Sequence, residues 1–320
     1  KAFEMLDDAV EAAQEIEFNE ERYRALVEIS NLYLEAKRND KAIETLDKAK
    51  AIAETIEGGH RDSLLVNVSL GFLKAGSLDL ADRTLDIVAD KTQISTCLVG
   101  FAQHFWTKDE KDDALETLEE AYAMLKSQGE RETRDSRARY ALFANIAVQF
   151  AQFEKAERAI ELAQNIEEEN ERMSALSRIA QVLVLQGKDE LARQSLQAIE
   201  IDANRMFALI GMSDAKNRLE QKEEAINLLD EAAHLAETVP QFTSRSTAYN
   251  EVAKRFLEYG EPEKARQSAH ENLEVITQIR DDNNRAVALA ALAEFYEKAE
   301  FDLNDSEREL LLAMIRRAEF

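Results

Sequence analysis

Along most of this chain, apolar positions fall three, four and seven residues apart, the spacing of one helix face. The pattern also returns on a longer period. Lys1–Glu17 reads KAFEMLDDAVEAAQEIE and Lys41–Glu57 reads KAIETLDKAKAIAETIE, identical at 9 of 17 positions without a gap. Related segments carry marker alanines at Ala2, Ala42, Ala81, Ala114, Ala156, Ala192, Ala225 and Ala265, at intervals of 40, 39, 33, 42, 36, 33 and 40 residues. From Ala42 onward a second amphipathic segment precedes each marker. Twelve residues upstream stands a small side chain: Ser30, Ser69, Ala102, Ala144, Ala180, Ser213 or Ala253. Just before it comes a large apolar one, and sixteen upstream a Leu or Tyr. Nine upstream lie Tyr33, Phe72, Phe105, Ala147, Leu183, Lys216 and Phe256, where only Lys216 breaks the apolar run. Small residues facing large ones let two antiparallel helices approach closely while the large side chain fills the space beside them. The chain therefore reads as a string of helix pairs.

Composition narrows this further. Only 9 Gly and 2 Pro occur in 320 residues, too few for the turns of sandwiches, barrels or doubly wound sheets, or for glycine-rich phosphate loops. Forty basic against 64 acidic residues give a net charge of −24. Such a surface repels nucleic-acid backbones and anionic membranes, and no apolar run approaches the ~20 residues that span a bilayer. Neither nucleic acid nor membrane is expected as a partner. The single cysteine, Cys97, allows no intrachain disulfide and favours a reducing compartment, so the protein is expected in the cytoplasm. The first residue is Lys1 rather than Met, which suggests an upstream segment.

The repeated positions resemble the tetratricopeptide repeat (TPR) family. The match lies in Leu or Tyr, an apolar–small pair and an aromatic on the first helix, then Ala, Leu and Ala on the second. The last of these is Ala49, Ala121, Ala163 and Ala232, with Gly76, Gly187 and Gly260 as turn glycines. The family's proline after the second helix is missing, and several units exceed its ~34 residues; the extra residues are expected in the second helix or the loop after it. The resemblance implies an all-α fold, an α-solenoid forming a right-handed superhelix of about eight antiparallel helix pairs. One helical-repeat domain is expected over 1–320. Residues 1–17 form the second helix of a truncated unit, 20–282 seven full units and 283–320 a divergent C-terminal cap with Arg316 and Arg317 near its end.

Signals of catalysis are weak. His60, His104, His234 and His270 are scattered without metal-ligand spacing, and Cys97 reads as a buried small hydrophobe. No enzyme activity, metal or cofactor is expected. An arginine recurs twenty residues before the marker, or at the equivalent place in the last unit: Arg22, Arg61, Arg172, Arg205, Arg245 and Arg285. It reads either as an anion-binding row or, more simply, as a structural contact to the last carbonyls of the preceding helix or to a glutamate such as Glu57 or Glu168.

In proteins of the TPR family the first helices line a concave groove in which peptides lie. Eleven residues before each marker should point there, giving Asn31, Leu70, Gln103, Asn145, Gln181, Asp214 and Lys254. A row of amides can pair with an extended peptide backbone. Leu34, Leu73, Trp106 and Val148 run beside it, and Arg178, Arg218 and Lys254 make the later part basic. The apolar members read equally as packing between first helices. Trp106, the only tryptophan, has no evident slot on the facing helix and reads as a binding anchor or as packing. The resulting expectation is a non-catalytic scaffold that binds a peptide or helical segment of a partner. The alternative is a regulatory or sensor arm of a larger multidomain enzyme or signalling protein. Self-association through the uncapped N-terminal helix is a further expectation.

Overall fold

The structure, a computed structural model, describes residues 2–127 and 136–318, with side chains over 5–127 and 137–314. The described residues contain 17 helices and no strand. After α1 (Ala2–Gln14) the helices come as first and second members of pairs. These are α2 (Asn19–Glu35) with α3 (Asn39–Thr55), α4 (His60–Lys74) with α5 (Leu78–Leu85), and α6 (Lys91–Thr107) with α7 (Lys111–Ser127). Then come α8 (Ser136–Gln152), α9 (Ala156–Gln164), α10 (Glu169–Leu185) with α11 (Asp189–Gln197), and α12 (Asp202–Arg218) with α13 (Lys222–Ala236). The series ends with α14 (Phe242–Glu258), α15 (Pro262–Ile276), α16 (Asp282–Lys298) and α17 (Asp305–Ala318). The chain divides into two compact units, residues 1–153 and 154–320. In each, first helices pack on their own second helix and on the next first helix. The architecture is an all-α solenoid of helix pairs.

One backbone device repeats at every turn inside a pair. Lys37, Gly76, Asp109, Glu154, Gly187, Glu220, Gly260 and Glu300 all take a left-handed conformation, with φ between 54° and 84°. The following N–H bonds back to a carbonyl of the first helix, as Arg38 to Tyr33 (2.8 Å), Lys188 to Leu183 (2.9 Å) and Gln221 to Lys216 (3.0 Å). The left-handed residue itself bonds one turn back, as Lys37 to Leu34. This Schellman closure satisfies the carbonyls a helix end would otherwise leave bare. The three glycines read as turn residues are three of these eight positions, and acidic or basic side chains hold the other five.

The closure also fixes the register. Each second helix from α3 to α15 starts two residues after the left-handed residue, and the residue five after it donates to the N-cap carbonyl: Ala42 to Arg38, Ala81 to Ser77, Ala225 to Gln221. For α9 that donor is Ala159, bonding Lys155, so the marker of this unit is Ala159 and not Ala156. Counted from Ala159, the small, aromatic and arginine positions become Ala147, Phe150 and Arg139. Asn145 and Val148 each stand three residues away from the register that placed them in the groove.

The uneven intervals come from the second helices. Where the next marker follows after 33 residues, the second helix has 8 or 9 residues (α5, α9, α11). Where it follows after about 40, the helix has 15 or 17 (α3, α13). The side chains of Arg316 and Arg317 lie outside the described residues. Cys97 is fully buried, its Sγ 3.5 Å from the Ser69 hydroxyl, and burial pushes its thiol up to about 11.

Candidate functional site

The first-helix faces are best followed from α12 and α14, where polar groups converge. Asp214 on α12 and Arg255 on α14 form a two-pronged ion pair, Nε to Oδ1 at 2.7 Å and Nη2 to Oδ2 at 2.9 Å. Arg255 also reaches Glu251 one turn back at 2.7 Å, and Lys254 reaches the other oxygen of Glu251 at 3.0 Å. The Tyr259 hydroxyl donates to Asp214 at 3.1 Å. Burial opposes ionisation of Glu251, but Arg255 and Lys254 outweigh it and hold the carboxyl below its ordinary range. For Arg255 the cost of burial is likewise overcome by Asp214 and Glu251.

Together with Asn217, Arg218 and Glu258, these residues line an open cleft of about 350 Å³. It holds Asp214, Arg218 and Lys254, all expected groove residues. Asp214 and Lys254 are engaged by protein partners, and Arg218 is exposed at the rim. The cleft presents both signs of charge with donors and acceptors side by side. Chemically it can hold polar backbone and charged side chains, and nothing in it pairs a nucleophile with a base. Among the described residues no three His, Cys, Asp or Glu converge as a metal would require.

Elsewhere the expected row is partly consumed by packing. Gln181 on α10 lies against Gly211 of α12, where an added Cβ would meet its Nε2 at 2.2 Å. Leu70 is seated on Gly100 in the same way, with an added Cβ 2.5 Å from Cδ2. The glycine at this place in α6 and α12 is thus a seat for the side chain of the preceding first helix. Leu73 and Val148 are buried at 3% and 1% exposure, so these two pack and present no surface. Asn31, Leu34 and Asn145 are half-buried, while Gln103 and Arg178 are exposed.

Trp106 does have a slot. Its ring stacks on Phe153, centroids 4.5 Å apart and planes 11° from parallel, and the Lys111 ammonium sits 5.0 Å from the ring centre. Phe153 lies in the turn following α8, next to the left-handed Glu154. The indole remains half-buried, so one face packs and part of the ring stays open.

The arginines resolve toward structure. Arg22, Arg172, Arg205, Arg245 and Arg285 each donate to the carbonyl six residues earlier, Ile16, Ile166, Ile199, Val239 and Ile279, at 2.6–3.1 Å. Arg61 instead reaches the Ile87 carbonyl and the buried Asp62, whose carboxylate accepts the backbone N–H groups of Ala89 and Asp90. Their partners are carbonyls at the pair-to-pair joints, where Glu57 and Glu168 had seemed available. Sequence reasoning missed Arg255 and Tyr259 as site residues. Arg255 lies one residue past the row position, and its carboxylate partner is 41 residues away.

No family model and no curated protein sequence matches this chain. Solved structures do resemble it. A Rap protein complexed with competence and sporulation factor is 14% identical, with 92% of this chain and 89% of that one covered and a TM-score of 0.34. The apo form of the quorum sensor NprR from B. thuringiensis is 14% identical over 91% and 86%, TM-score 0.33. A signal transduction ATPase with a tetratricopeptide repeat sensor from Pyrococcus horikoshii is 12% identical, TM-score 0.33; 98% of this chain aligns, spanning 52% of that one. The fold itself is an all-α repeat of helix pairs. The α12–α14 cleft lies between consecutive first helices, and Trp106 holds the same kind of position in the other unit. No helix among the described residues is long and apolar enough to cross a membrane.

Proposed function

We propose that this TPR-like chain is a non-catalytic protein-interaction scaffold. It holds a peptide or helical segment of a partner protein against its first-helix faces. The observation that supports the reading most directly is the α12–α14 cleft. It collects Asp214, Arg218 and Lys254, three of the residues expected in the groove, and it leaves Arg218 and Asn217 exposed at its rim. The internal ion pairs fix the walls in advance, so a bound segment meets a preorganised surface and loses less affinity to ordering. The net charge of −24 makes a protein or peptide the partner class and disfavours polyanions. Trp106 is the second contact, because a half-open aromatic held by stacking is a rigid anchor.

The test is selection of binding segments from a random peptide display library with the full chain. Selected peptides are then titrated against wild type, Trp106→Ala and an Arg218→Ala/Lys254→Ala double variant of matched melting temperature. Loss of at least tenfold in affinity in one of the variants supports the reading, since truncating a central anchor costs about 2 kcal/mol. Failure to select any peptide, or equal affinity in all three proteins, overturns it.

A further inference from the structure

The last pair departs from the pattern of the others, and the departure leaves a cavity. Second helices α3 to α15 begin two residues after the left-handed turn residue, but α17 begins five after Glu300. The three additional residues, Asp302, Leu303 and Asn304, displace α17. It packs on α15 rather than lying along α16 as a normal second helix would. Its position is set by a polar pin. Asn304 and Glu307 form a reciprocal capping box, Asn304 N to Glu307 Oε2 at 2.8 Å and Glu307 N to Asn304 Oδ1 at 2.9 Å. The fully buried Glu307 also accepts from the Tyr296 hydroxyl at 2.9 Å and from Arg266 at 3.4 Å. Arg266 in turn donates to the Asp302 carbonyl at 2.7 Å.

A helix pinned at its polar end cannot settle onto the apolar side chains beneath it. Between α15, α16 and α17 there remains a cavity of about 200 Å³, walled by Leu273, Leu292, Tyr296, Leu311 and, from the turn and the inserted segment, Phe301 and Leu303. Phe301 is held edge-on to Phe295 and Tyr296, centroids 5.9 and 6.1 Å away. The only hydroxyl in this wall, that of Tyr296, is already spent on Glu307. The wall is mainly apolar, so water in it finds few of the two to four hydrogen bonds that hold an ordered buried water. An apolar cavity of about 150 Å³ accepts a single-ring hydrocarbon.

We propose that this cavity is a binding site for a small uncharged apolar molecule, about one aromatic ring in size. The site is separate from the first-helix faces and does not depend on the scaffold reading. Toluene is a suitable probe. Titrated into the full chain with leucine methyl groups labelled, it is expected to shift the signals of Leu273, Leu292 and Leu311 saturably. Ala293, exposed at the mouth of the cavity, gives the blocking variant: Ala293→Phe should weaken binding at least tenfold. Val287→Phe, at an exposed position on the opposite face of the same helix and outside the cavity wall, should bind as wild type does and shows that a bulky residue on α16 is tolerated. Shifts that fail to saturate, that appear at leucines outside the cavity wall, or that persist unchanged in a folded Ala293→Phe protein overturn the proposal.

Discussion

Two neighbouring pairs, α10/α11 and α12/α13, are built on the same frame with opposite contents. Both first helices have 17 residues, and both small positions, Ala180 and Ser213, are fully buried against fully buried marker alanines, Ala192 and Ala225. Ser213 even donates its hydroxyl to the Ala225 carbonyl at 2.8 Å. Three residues on, the frames diverge. Leu183 fills the core of one pair, whereas the other buries Lys216 at 4% exposure. The ammonium is met by Asp189 of α11 at 2.7 Å, Glu224 of α13 at 2.6 Å and the side-chain amide oxygen of Gln221 at 3.0 Å, so it joins three helices. The pair is thus defined by its small residues and its turn closure. The large core position accepts a cation when acceptors surround it, because a buried charge is tolerated only when paired and hydrogen-bonded.

The strongest way to break the comparison is to attack what the two pairs share. Ala180→Leu forces three extra carbons into a site with no room and should lower stability by about 1–3 kcal/mol. A thermal melt superimposable on wild type would show that close approach is not the common element. Next comes the element that differs. Asp189→Asn with Glu224→Gln leaves the Lys216 ammonium nearly uncompensated and should cost about 2 kcal/mol, below the usual range for a buried pair because both carboxylates are half-exposed. Lys216→Met, by contrast, should stay within about 1 kcal/mol of wild type, since an apolar isostere needs no acceptors. Equal destabilisation by both changes would mean that the ammonium itself holds α11 to α13.

A pH series sharpens the same point. Burial pulls the Lys216 ammonium down, but Asp189 and Glu224 more than compensate and raise it above the ordinary lysine value of 10.5. The raised folded-state value means its contribution is complete below pH 10.5 and is lost as the pH climbs toward that higher value. Urea stability of wild type relative to Lys216→Met should therefore fall above pH 10.5 and be flat below it. A difference that is constant across this window would remove the ion cage from the account.

Legibility followed the physics of each feature. The helix pairs were readable because burial of a repeated face imposes a periodicity that composition alone cannot mimic. The fourth unit was misplaced by one helical step for a physical reason: Ala156 and Ala159 are three apart on one face and both buried, at 1% and 0% exposure. The marker alone could not choose between them. Phe150, nine before Ala159, and Arg139, twenty before it, restore the pattern that Ala147 at the aromatic position had broken. That error carried over to the site. It put Asn145 on the groove row where Val148 belongs, and it hid Phe153 as the turn residue that receives Trp106. The α12–α14 cleft was half legible: Asp214, Arg218 and Lys254 followed from spacing. Arg255 did not, because its meaning depends on a carboxylate from another helix.

The smallest expected effect lies in the turns, and it tests whether the closure tolerates any residue at its left-handed position. Gly187 and Glu220 occupy equivalent places with φ of 71° and 61°. A Cβ added at Gly187 would meet nothing within 4 Å, so any penalty there is backbone strain and not collision. A left-handed conformation costs a side-chain-bearing residue about 1–2 kcal/mol, and glycine gives part of that back through its freer unfolded chain, about 0.5–1 kcal/mol. Gly187→Ala should therefore destabilise by about 1 kcal/mol and Glu220→Gly should stabilise by a similar or smaller amount, both read from urea midpoints at unchanged slope. Opposite signs of similar size would show that the two turns are the same device occupied by different residues. If Glu220→Gly were destabilising, the Glu220 side chain would be contributing contacts beyond the backbone closure, and the shared frame would stop at the helix ends.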